Sequence, residues 1–216
     1  MRHRPNLYVP GPWAEGSLGV GDQAIRHMTK VLRYPPGAPV TYTDGMGIVG
    51  SGTWSGSDID RGEETQVVRS GRAIDVIVAA PNAKERQRFL VEKCQELGVR
   101  RLRWLATAWS SGRVPPQRRV TAWAVGALEQ SRGAWLMAVD GPIEVEAGAG
   151  VLVADVSGRP VGEYVPATES TTIVVGPEGG FAPEDLPDGL ERVQIVDTVL
   201  RTETAAVVGA AILRSM

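Results

Sequence analysis

The chain has 216 residues, a formal net charge of −2 and a pI near 5.8, with 43% hydrophobic and 22% charged residues. That composition suits a globular protein able to bury a sizeable core, and no apolar run approaches the length of a membrane span. Cys94 is the only cysteine, which excludes an internal disulfide and a cysteine metal cluster, and two histidines, His3 and His27, argue against a histidine-based metal site.

The opening, "MRHRPNLYVPGPW", lacks the apolar segment of a signal peptide, so a cytoplasmic protein is expected. The acidic sum does not advertise nucleic-acid binding, but distribution matters more than the sum. Positive charge is nearly all arginine, and it crowds into "GVRRLRWLATAWSSGRVPPQRR", residues 98–119.

Residues 1–70 are rich in turns, with glycines at 37, 45, 47, 50, 52 and 56 separating short apolar alternations. This pattern predicts short strands and a small β domain. One helix is expected within it, "DQAIRHMTKVLR", with Asp22 as N-cap. The character changes near residue 73. "AIDVIVAAP" reads as a buried strand, and "KERQRFLVEKCQELGV" as an amphipathic helix closed by Gly98 that buries Cys94. "RLRWLAT" is a strand and "PQRRVTAWAVGALEQS" a helix; "GVLVADV", "TTIVVG" and "RVQIVD" are further strands, and "TETAAVVGAAILRS" is the last helix. Strands alternating with helices predict an α/β domain over 73–216, built on a mainly parallel sheet.

Ligands of such sheets sit at the carboxyl ends of strands. Three loops qualify: "VADVSG" at 153–158, "VGPEGG" at 175–180 and "VDTVLRTETAA" at 196–206. The second has neither the glycine spacing of a dinucleotide fingerprint nor the G-K-[ST] of a phosphate loop. Its backbone suits the edge of a flat heterocycle such as adenine, and "APEDL" after it suggests a helix start. In the third loop, Thr202 is a candidate N-cap and Glu203 sits where the helix dipole favours an acid. Arg201 has no such use, and it needs a polar partner or ligand. The helix behind it is apolar all round and must be buried in a core or a subunit interface.

"VGPEGGF" followed by "VLRTETAAVVGAAIL" resembles the C-terminal signature of the bacterial 16S rRNA (uracil(1498)-N(3))-methyltransferase family of the SPOUT superfamily. "RHMTKVLRYPPGAPVTYTDG" resembles the family's N-terminal PUA-like domain, "KERQRFLVEKCQELGV" its first catalytic-domain helix, and "LEQS" a motif in the next helix. The resemblance implies a PUA-like RNA-binding domain over 1–70 and a trefoil-knotted α/β methyltransferase domain over 73–216. It also implies S-adenosylmethionine as methyl donor, 16S rRNA of the small ribosomal subunit as substrate, and a homodimer with the site beside its interface. Gly176, Gly179, Gly180, Leu200, Thr202 and Ala205 would then surround the donor, with Ala154, Asp155, Val175 and Ile195 from the same three strand ends. Arg201, Glu129 and Gln130 would face the target base. Expected RNA contacts are Arg2, Arg4 and Arg33 from the resemblance, Lys84 and Arg113 from local basic character, and Arg132. The last adjoins Gly133, where the family usually has arginine. A second departure is Ile195-Val196 in place of Leu-Gly.

The N3 proton of uracil must leave before N3 can attack the donor. Arg201, always protonated, suits stabilisation of the negative charge on O2 or O4, whereas Glu129 and Glu203 are both possible bases. N3 lies on the Watson–Crick edge, so the uridine must be unpaired or flipped out. Ribose 2′-O-methylation and a non-catalytic RNA-binding role are the competing readings.

Overall fold

The computed structural model of the chain describes residues 4–14, 16–110 and 112–216. It divides into two compact units: the residues up to Arg69 together with Val125–Leu136, and Ser70–Ala124 together with Met137–Met216.

In the first unit, strands β1 (Asn6–Tyr8), β2 (Leu18–Gly19), β3 (Pro39–Thr43), β4 (Ile48–Trp54) and β5 (Asp58–Gln66) form one sheet in the order β1-β3-β4-β5-β2. Only β1 and β3 run parallel; the other neighbours are antiparallel. Alternate residues point inward, so Leu7, Val40, Tyr42, Trp54, Ile59 and Met28 make its core. The turn between β3 and β4 is fixed by Asp44, whose Oδ1 accepts the Met46 and Ile48 N–H groups at 2.7 and 2.9 Å. The expected helix forms, but not as one regular element. α1 spans Asp22–Arg26 and passes into a wider π-type turn at His27–Val31. Asp22 is not its N-cap: Gly21 holds that position without a side-chain bond, and Asp22 is the first helical residue. There its charge still suits the helix dipole.

The second unit contains β6 (Ala73–Ala79), α2 (Lys84–Glu96), β7 (Arg101–Leu105), β8 (Ala138–Ile143), β9 (Val151–Pro160), β10 (Ser170–Val175), β11 (Glu191–Gln194) and α4 (Thr202–Ser215). Its six strands are all parallel, in the order β11-β9-β10-β6-β7-β8. The long helix α3 (Gln117–Ser131) belongs to this unit up to Ala124 and to the first unit from Val125. β6 and β10 are central and read as near-continuous apolar runs, as strands covered on both faces should. β8 was not legible in "AVDGPI", because Pro142 removes a ladder donor; its place at the edge tolerates that loss. Cys94 is buried on α2, and burial pushes its thiol up to about 12. No helix is long and apolar enough to cross a membrane among the described residues.

α4 packs against α2, β6 and β10. Gly209 permits this close approach, since a Cβ there would lie 2.5 Å from Ile173 Cδ1. Thr202, Glu203, Ala205, Ala206, Gly209, Ala210 and Leu213 are buried. Thr204, Val207, Val208, Ala211 and Ile212 are only half-buried. The apolar helix is therefore covered on one side and leaves a stripe at helical spacing uncovered within the chain.

Candidate functional site

A cavity of about 820 Å³ opens in the second unit where β9, β10 and β11 hand over to their loops. This is the carboxyl edge of a parallel sheet, where loops are free to build a site. Its wall includes Ala154, Asp155, Val175, Gly176, Gly180, Ile195, Leu200, Arg201, Thr202 and Ala205. All the expected donor contacts except Gly179 are thus brought to one cavity. Phe181, Leu186 and Leu190 add an apolar side that the sequence reading did not name.

The loop 153–158 is not a strand end. β9 runs on to Pro160, and its ladder with β11 jumps from Val153–Arg192 to Arg159–Val193, leaving 154–158 to bulge into the wall. Asp155 shapes the bulge by accepting the Ser157 N–H at 2.8 Å and the Ser157 hydroxyl at 2.7 Å, and it also pairs with Arg192. These bonds, the Ser157 N–H first, hold the Asp155 carboxyl below the usual aspartate range. Asp155 and Arg192 therefore line the cavity as an ion pair.

The glycine loop after β10 closes as a turn, with the Gly180 N–H donating to Pro177 O at 2.9 Å. Gly180 has φ +77° and no protein atom where a side chain would go, so within the chain its requirement is conformational. Gly176 is the tight position: a Cβ there would lie 2.9 Å from the Phe181 ring. "APEDL" makes only a short 3₁₀ turn at Pro183–Asp185, because Leu186 is already extended.

Thr202 does not cap α4; Arg201 holds the N-cap position. The Thr202 hydroxyl instead donates to Gly176 O at 2.9 Å, joining the third loop to the second. Glu203 is buried in the first turn, with Oε1 3.6 Å from Arg86 Nε of α2 and Oε2 without a hydrogen-bond partner among the described residues. Arg86 Nη1 also reaches Glu178 Oε1 at 3.4 Å. Arg86 thus spans the glycine loop and the start of α4, a role the sequence reading missed. Its signal would have been a second acid, Glu178, beside the glycines. Arg201 is exposed at the cavity wall, and its guanidinium makes no hydrogen bond or ion pair among the described residues.

Glu129 and Gln130, on the later part of α3, lie in the first unit. Glu129 Oε1 accepts the Tyr8 N–H at 2.9 Å. Burial raises its pKa above the usual glutamate value, opposed by that bond and by the charge of His27. Gln130 and Arg132 are exposed, and Arg132 Nη2 donates to Arg4 O at 3.1 Å. Arg4 and Arg33 in the first unit and Lys84 and Arg113 in the second are all exposed, as phosphate contacts need to be. Arg2 lies outside the described residues.

Residues 69–214 match the RNA methyltransferase domain family. A ribosomal RNA small subunit methyltransferase E from Mycobacterium bovis is 32% identical, the match covering 87% of this chain and 82% of the relative. Among solved structures, a methyltransferase from Legionella pneumophila in complex with S-adenosylmethionine aligns with a TM-score of 0.85 at 21% identity, over 99% of this chain and 98% of the other. A ribosomal RNA small subunit methyltransferase E from Neisseria gonorrhoeae, bound to S-adenosylmethionine, aligns with a TM-score of 0.83 at 21% identity and the same coverage. The two structures share the fold, while sequence carries the family. Given that match and that identity over most of its length, the chain belongs to the RNA methyltransferase family that includes the ribosomal RNA small subunit methyltransferases E.

Proposed function

We propose that this chain transfers a methyl group from S-adenosylmethionine to N3 of a uridine in small-subunit rRNA, at the position corresponding to uracil 1498. The observation that carries the reading is the cavity at the β9–β11 loops with an unpaired arginine, Arg201, at its wall. The residues present fit the donor. The volume suits a nucleoside-sized ligand, and Phe181, Leu186 and Leu190 offer apolar faces. When bound, the donor supplies an electrophilic methyl on a sulfonium and needs no activation.

The protein's work lies on the other reactant. The N3 proton must pass to a base, the N3 lone pair must form the new nitrogen–carbon bond, and the carbon–sulfur bond must break with its electrons going to sulfur. Arg201 stabilises the negative charge that gathers on a uracil oxygen, a task for a cation with no competing partner. Glu129 is our candidate base, since burial moves its pKa towards the working range of a general base. Glu203 is already engaged by Arg86.

Three further features belong to this reading. The domain at 1–70 acts as a PUA-like RNA-binding module and the domain at 73–216 as a trefoil-knotted catalytic one. The working form is a homodimer, supported by the uncovered stripe of Val207, Val208, Ala211 and Ile212 on α4 and by the exposure of Val199 (85%) beside the cavity. The setting is the cytoplasm, where small subunits are assembled. The test is transfer of labelled methyl from S-adenosylmethionine to small-subunit rRNA, followed by nucleoside analysis. 3-Methyluridine is expected; a 2′-O-methylated nucleoside, or no transfer, would contradict the reading.

A further inference from the structure

We propose that Trp109 is the platform on which the extruded uracil stacks during transfer; this rests on the proposed uracil N3 reading. The chain has six tryptophans, and Trp109 is the exposed one, at 54%. The others are buried or half-buried. An indole left in water is a poor choice for a loop that only connects two elements. This loop follows β7, whose carboxyl end shares the sheet edge with those of β6 and β10. Trp109 Cβ lies 3.8 Å from where a Cβ on Gly179 would stand, so the indole is rooted directly against the glycine turn of the cavity.

The loop is held from both sides. The Ala108 N–H, next to the tryptophan, donates to Asp185 Oδ1 at 2.8 Å, and Asp185 Oδ2 accepts the Ala182 N–H at 2.8 Å. One carboxylate therefore joins the tryptophan loop to the segment after the glycines. Further along, the buried Gln87 of α2 donates through Nε2 to Pro81 O at 2.7 Å and to Arg113 O at 2.9 Å. Trp109 is thus an exposed aromatic ring with an anchored root, beside Gly179 of the turn whose neighbours Glu178 and Gly180 line the cavity, and it is followed four residues on by an exposed arginine.

A base presented for chemistry at its Watson–Crick edge has lost its stacking neighbours and its pairing partner. An aromatic face replaces the lost stacking, at about 1–3 kcal/mol per base, which is roughly five- to 150-fold in affinity. Stacking is tolerant of base identity, so Trp109 would hold the base while hydrogen-bonding groups elsewhere select uracil.

The test compares wild type, Trp109→Ala and Trp109→Phe on a short RNA hairpin carrying either the target uridine or an abasic site in its place. Wild type should bind the abasic RNA about five- to 150-fold more weakly than the uridine RNA. Trp109→Ala should bind both equally weakly and lose kcat/KM by a similar factor, and Trp109→Phe should recover most of the loss. Affinity for S-adenosylmethionine and sedimentation behaviour should not change. A Trp109→Ala protein that still discriminates the two RNAs overturns the proposal, as does a loss that comes with weaker donor binding or a changed oligomeric state. A wild type that binds both RNAs but forms no 3-methyluridine removes the functional reading, and this proposal with it.

Discussion

The Thr202 hydroxyl donates a 2.9 Å hydrogen bond to the carbonyl of Gly176, tying the first residue of α4 to the end of β10. Two of the three loops around the cavity are therefore one mechanical unit, and a small defect in the joint should be felt by the ligand. Thr202→Val keeps the shape but leaves the Gly176 carbonyl without this donor. Loss of about 1 kcal/mol, the usual net worth of such a bond, should weaken S-adenosylmethionine binding about fivefold by calorimetry. Thr202→Ser should retain the affinity. Equal affinity in all three proteins would show that the joint does not shape the donor site.

Arg86 faces two acids, Glu178 at 3.4 Å and the buried Glu203 at 3.6 Å. Arg86→Met should leave Glu203 without a counter-charge and cost about 1–3 kcal/mol in denaturant unfolding. Adding Glu203→Gln should restore part of the loss, because the uncompensated charge is gone. A single variant as stable as wild type would show that solvent already satisfies Glu203.

The half-buried stripe on α4 makes a distinct prediction. Val208→Glu should shift sedimentation from dimer to monomer while the far-ultraviolet circular dichroism is kept, since Val208 is not among the buried residues of the helix. A variant that remains dimeric and active would place the interface elsewhere.

Glu129 links pH to both stability and rate. Its folded pKa lies above the ordinary 4.5, chiefly through burial. The folded chain therefore holds this proton more tightly than the unfolded chain. The resulting stabilisation is present below pH 4.5 and is lost as pH rises through the folded pKa. Relative to Glu129→Gln, wild-type stability should thus fall as pH rises across this range. If Glu129 is the base, the wild-type methylation rate should rise over the same interval, and the Gln variant should be slow at every pH. Parallel stability curves for the two proteins would remove the titration argument.

Much of this site was readable from residue order because its parts are local. A β-branched run stopping at Gly176, and Leu200–Arg201 leading into an apolar helix that starts at Thr202, place two walls of the cavity without any long-range information. What was not readable depended on partners far apart in the chain. Thr202 looked like a cap because threonine before a helix usually is one; its actual acceptor, Gly176 O, lies 26 residues earlier. Asp155 and Arg192 needed the β9–β11 ladder to meet, and Arg86 needed α2 packed against α4. The β8 strand was hidden by Pro142, and the 154–158 bulge looked like a loop because Asp155, Ser157 and Gly158 are turn-type residues.

The central claim is that Arg201 acts on the charge of the transition state. Its guanidinium has no competing partner among the described residues, so a purely structural role has nothing to act through there. The decisive measurement is single-turnover methylation by Arg201→Ala, with donor binding and melting temperature taken on the same protein. The rate should fall about a hundredfold or more, the scale of losing one oxyanion donor, while donor affinity and melting temperature stay close to wild type. Lysine at 201 should rescue poorly, because a point charge cannot present a planar fork. A stable, donor-binding Arg201→Ala protein that turns over at a near-normal rate would contradict the account.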